Sequence, residues 1–114
     1  MRVLEAKLVV RHQGVRQAEI EADRVEVSAD RRTTTFTGRS RMVLFAGDLP
    51  VLAATGERIT YDRSTQGVRA EGGLRLTTPD GATLVARTAT WDAQSQVIVL
   101  AGDVQVTFPL RRLP

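Results

Sequence analysis

Three copies of one unit each place an aromatic or β-branched residue eleven positions before a glycine: Val27 before Gly38, Tyr61 before Gly72 and Trp91 before Gly102. Each interval reads as strand, turn, strand. In the last copy Trp91 and Asp92 close one extended run. Ala93 to Gln96 are short or polar enough to turn, and Val97 to Leu100 is an apolar run rich in β-branched residues. Beyond Gly102, Val104 and Val106 alternate with Asp103, Gln105 and Thr107, the period of a strand with one buried face. The copy from Tyr61 to Leu76 repeats the pattern. Spacings of thirty-four and then thirty residues predict a repetitive β architecture in which each hairpin needs its neighbours to bury its apolar face.

The rest of the chain supplies more strands. Val3 to Val10 is extended and mostly apolar, and His12-Gln13-Gly14 is a polar turn. Ala18 to Val27 alternates, with a change of parity after Asp23 that a β-bulge near Asp23 or Arg24 would absorb. A helix is the competing reading of that alanine and glutamate mixture. Thr33 to Thr37, Arg39 to Phe45, Val51 to Tyr61 and Leu84 to Trp91 are further strands. Thr78-Pro79-Asp80-Gly81 is a turn, with proline preset for the first central position and glycine where φ becomes positive. Leu110 to Pro114 is expected to be a loose tail on a single domain spanning residues 1–114.

Composition agrees with a β fold and narrows the chemistry. A chain of 114 residues makes one domain, and thirteen threonines with fourteen valines favour strands. Without cysteine it has no disulfide framework and no thiolate metal site. Fifteen arginines and one lysine are interspersed with thirteen carboxylates, leaving a net charge of +3 and no basic block. Nucleic-acid binding would need clustered charge and aromatic platforms, so no nucleic-acid partner is expected. The longest apolar run near the start, Leu8 to Val10, is too short for a signal peptide or a membrane span.

No catalytic constellation is visible. His12 is the lone histidine and lies beside a turn, and none of the four serines sits in a nucleophile-elbow pattern. Asp62 and Asp92 recur at matching repeat positions. An aspartate just past a strand is better suited to accepting backbone hydrogen bonds in a turn than to acid and base work. The reading is a protein that is not an enzyme and needs no cofactor or metal.

The words Ala22-Asp23-Arg24-Val25-Glu26-Val27, Gly56-Glu57-Arg58-Ile59-Thr60-Tyr61-Asp62 leading to Ala70-Glu71-Gly72-Gly73-Leu74-Arg75-Leu76, and Ala86-Arg87-Thr88-Ala89-Thr90-Trp91-Asp92 leading to Ala101-Gly102-Asp103-Val104-Gln105-Val106 recur in register. They resemble the OstA-type repeat of the lipopolysaccharide-transport family, the LptA-like and LptC-like periplasmic domains, from about Ala18 to Phe108. The opening Gln13-Gly14 and Ala18 to Ala22 resemble the LptC branch more than the LptA branch. The resemblance implies an all-β, antiparallel, open β-jelly roll in the periplasm, anchored to the inner membrane if the full-length protein is LptC-like. It further implies that acyl chains of lipopolysaccharide lie in an apolar groove. Edge strands would pair with other transport proteins, or with copies of the same chain head to tail.

The candidate groove residues are those at the repeated apolar positions: Val25, Val27, Phe36, Met42, Leu44, Ile59, Tyr61, Leu74, Leu76, Leu84, Trp91, Val104 and Val106. The same residues would equally form a plain packed core. Two other readings compete: a structural β-solenoid scaffold, which calls for a constant short repeat, and a small β-sandwich binding module, which calls for more exposed aromatics than one Trp and one Tyr provide.

Overall fold

The structure, a computed structural model, describes residues 6–47, 49–92 and 94–108. It contains nine strands: β1 (Ala6–His12), β2 (Val15–Ala22), β3 (Arg24–Val27), β4 (Thr33–Ala46), β5 (Leu49–Asp62), β6 (Gly67–Thr77), β7 (Thr83–Asp92), β8 (Ile98–Ala101) and β9 (Gln105–Thr107). Among the described residues there is no helix, so the alanine and glutamate stretch around Ala18 is strand. The expected tail, Leu110 to Pro114, and Val3 lie outside the described residues.

All strand pairs are antiparallel, in the order β1-β2-β4-β5-β6-β7-β8, with β3 also on β4 and β9 also on β7. Two strands share one partner because β4 and β7 are each bent in the middle. β2 pairs with Arg41 to Leu44 and β3 with Thr34 to Thr37. In the same way β8 takes Thr88 to Trp91 of β7, and β9 takes Thr83 to Val85.

The bend is a line of bulges that crosses every long strand. The ladder slips between Thr37 and Ser40, between Thr55 and Arg58, and between Glu71 and Leu74. At Gly38-Arg39 and Gly72-Gly73 two residues of one strand therefore face one residue of the next, and both have positive φ: 77° and 48°, then 85° and 57°. Gly102-Asp103 repeats the device between β8 and β9, at 82° and 49°. The residue that each glycine crowds lies fifteen positions earlier: Asp23, Glu57 and Arg87. Asp23 N–H donates to Gly38 O at 2.9 Å and Arg87 N–H to Gly102 O at 3.0 Å. The parity change at Asp23 is thus the point where the chain crosses this crease.

The crease divides the sheet into two leaves. The first leaf holds β3, β8 and the adjoining halves of β4 to β7; the second holds β1, β2, β9 and the other halves. Register places the apolar side chains in rows. One row of the first leaf is Val25, Phe36, Ile59, Ala70, Ala89 and Leu100, and one of the second is Leu8, Ile20, Met42, Ala54, Leu76, Leu84 and Val106. Residues of both leaves belong to one continuous cluster. Among the described residues no other element covers them, so the leaves cover each other. Ile20, Ile59, Leu74 and Leu76 are at most 1% exposed. Each such side chain contributes roughly 1.5–3 kcal/mol of transfer free energy.

Candidate functional site

The interior between the leaves is the candidate site. Of the sequence-derived residues, Phe36, Met42, Leu44, Ile59, Leu74, Leu76 and Trp91 are buried in the cluster, and Val25, Tyr61 and Leu84 pack half-buried against it. Val27, Val104 and Val106 do not join it, at 58%, 44% and 47% exposed. Val27 and Val106 share inward rows with buried residues, but they stand on the edge strands β3 and β9, where no further strand shields them. Val104 lies in the connection ahead of β9.

Sequence patterning missed the contribution of the first two strands. Val10, Ala18, Ile20 and Ala22 are buried in the same cluster, and Leu8 packs on it. The alternation of Ala18, Ile20 and Ala22 was a usable signal, obscured because alanines on a glutamate-rich strand carry little apolar weight. Val68, Ala70 and Ala89 complete the rows between the larger residues.

The site is apolar in the strict sense. Among the described residues the buried polar side chains are Gln17 and Ser40, both uncharged. Ser40 sits at the crease, where its hydroxyl donates to Phe36 O at 3.0 Å. Burial pushes the Tyr61 phenol above its ordinary pKa, so it is neutral in the physiological range. Charged groups lie outside. On the crease Arg39 holds Asp23 at 2.9 Å and Arg87 holds Asp103 at 2.7 Å, with the signs reversed between the two bulges.

The matching carboxylates serve turns. Asp62 Oδ1 accepts the N–H of Ser64 at 2.9 Å, and Asp92 Oδ1 accepts the N–H of Gln94 at 2.8 Å. Hydrogen bonding from the Ser64 hydroxyl first, then backbone N–H groups, lowers the pKa of Asp62. Among the described residues no three His, Cys, Asp or Glu side chains converge on a possible metal site.

This geometry is an apolar interior, uncharged among the described residues and enclosed between two leaves. It defines a class, the creased open antiparallel β-jelly roll. One of the solved structures this chain matches is LptH of Pseudomonas aeruginosa, the LptA-homologous periplasmic component of the lipopolysaccharide transport device. The two share a TM-score of 0.67 at 15% sequence identity, over 82% of this chain and 76% of that one. The fold of this chain is therefore the LptA-like one. No family model matches the sequence. No curated protein matches it either.

Proposed function

We propose that this chain is a periplasmic component of lipopolysaccharide transport that carries acyl chains between its two leaves and passes them along a series of pairing domains. One observation carries the reading: an open, creased sheet whose interior is apolar and, among the described residues, uncharged shares the fold of LptH over most of its length. An open sheet leaves strand edges at β3, β8, β1 and β9, and pairing with transport partners or with further copies would satisfy their free N–H and C=O groups. An interior of small and medium aliphatics suits transfer, because binding by apolar area alone has no directional contacts to break.

The test is site-specific photo-crosslinking with lipopolysaccharide. A benzophenone amino acid at Tyr61 or Leu84, half-buried at the margin of the interior, is expected to capture lipid, whereas one at Thr90, on the outer face of the first leaf, is not. Capture at Thr90 equal to that at Tyr61, or no capture anywhere, would overturn the proposal.

A further inference from the structure

Of the two buried polar side chains among the described residues, Ser40 belongs to the crease, whereas within its own strand Gln17 makes only a long bond, from its amide nitrogen to Val15 O at 3.4 Å. β1 and β2 slip register between Val10, which faces Ala18, and Arg11, which faces Arg16. Gln17 is therefore the extra residue of a bulge, and the bulge turns its amide inward, where it is 5% exposed. Its neighbour Arg16 stays on the outer face, bonded to Glu19 at 3.0 Å and stacked 3.9 Å over Phe45, which anchors the bulge from outside.

The Gln17 side-chain oxygen accepts a hydrogen bond from the Gln96 amide, seventy-nine positions along the chain. Gln96 is set in place by the turn before β8: its φ is 57°, and its backbone N–H donates to Asp92 O at 2.8 Å. Both residues are remote from the crease. On the second leaf the crease crosses β4 at Gly38-Arg39, while Gln17 follows the Ala18 to Leu44 pair at the far end. On the first leaf it crosses at Gly102, while Gln96 lies beyond the Ile98 to Trp91 pair. The bond therefore joins one leaf to the other across the mouth of the fold. The ion pairs, by contrast, stay within a leaf or sit on the crease.

We infer that Gln17 and Gln96 form a clasp that shuts the mouth, and that the clasp must open for an acyl chain to reach the interior. This rests on the lipid-holding reading above. The interior side chains are already close-packed, so a chain gains room only if the leaves part, and the crease bulges give them a line to part about. A clasp of two neutral amides is weak in net terms, because water replaces each lost bond as the mouth opens. It is also indifferent to salt and to pH across the physiological range, since neither group titrates.

The chain has no cysteine, so the double variant Gln17→Cys, Gln96→Cys can be tethered at these two positions alone by a short bis-maleimide containing a reducible disulfide. The readout is capture of a fluorescent lipopolysaccharide. The tethered form is expected to lose at least about tenfold in capture rate, and reductive cleavage of the tether to restore it. Gln96→Ala, an exposed position, is expected to keep the fold and to speed capture by about two- to tenfold, the population shift that corresponds to losing one net hydrogen bond. Equal capture by tethered and cleaved protein, or an unchanged rate for Gln96→Ala, would overturn the clasp while leaving the lipid-holding reading intact. Failure of the unmodified protein to capture lipid at all would overturn both.

Discussion

At Gly102 two constraints coincide: φ is +82°, and a Cβ there would meet Arg87 Cβ at 2.7 Å. A side chain would strain the backbone and push on the neighbouring strand together, so Gly102→Val is expected to destabilise by about 1–3 kcal/mol, read as a fall in Tm. Arg39→Gly is expected to leave Tm close to that of the parent. The strain relieved at φ 48° offsets an exposed ion pair, and the middle bulge already has Gly73 in that place. In the core, Leu76 at 1% exposure has no route to water, so Leu76→Arg should abolish folding, while Leu76→Ala should cost about 2–5 kcal/mol in denaturant unfolding. Carboxylates set the acid response. The Arg39 hydrogen bond lowers Asp23, and serine hydroxyls at 28 and 64 lower Asp30 and Asp62. A lowered folded-state pKa means stability that is present above the ordinary aspartate value and lost as pH falls through the lowered one. Tm should therefore drop below about pH 4, and Asp62→Asn should flatten that drop.

The long strands owe their length to being bent. A flat sheet of ten to fourteen residue strands would expose one apolar face, and the bulge line folds that face on itself. The edge strands differ in kind: β8 has four residues and β9 three, with Val97 just ahead of β8 and Val99 within it more than half exposed. Short edges limit uncontrolled pairing, yet an apolar one invites a specific partner. If β8 is a pairing edge, Val99→Lys should shift concentration-dependent association toward monomer, as measured by light scattering, without moving Tm by more than about 0.5 kcal/mol equivalent.

For the whole molecule, the described strands form one nine-stranded sheet that shares the fold of LptH, and its first and last strands do not pair with one another. Lipid binding should add to its stability by mass action, about 2.7 kcal/mol at a hundredfold excess over Kd, visible as a rise in Tm with added lipopolysaccharide. That rise should survive high salt, since among the described residues the interior has no buried charge to screen.

The strands, their turns and the recurrence of Gly38, Gly72 and Gly102 were legible in the sequence because local rules govern them: side-chain alternation, aspartate in turns, and glycines at matching positions of a repeat. Gly72 and Gly102 do occupy matching positions with positive φ. Which rows are sealed and which stay wet was not legible. Val106 and Leu76 read alike in one dimension, yet one lies on an edge strand and the other in the middle of a leaf. Gln17 gave no signal at all, because a polar residue on a polar hairpin becomes a buried clasp only through a one-residue slip against β1 and a partner seventy-nine positions away. Alternation along a strand fixes the face on which a side chain lies; burial depends on what stands opposite that face, and here the crease alone brings one leaf over the other.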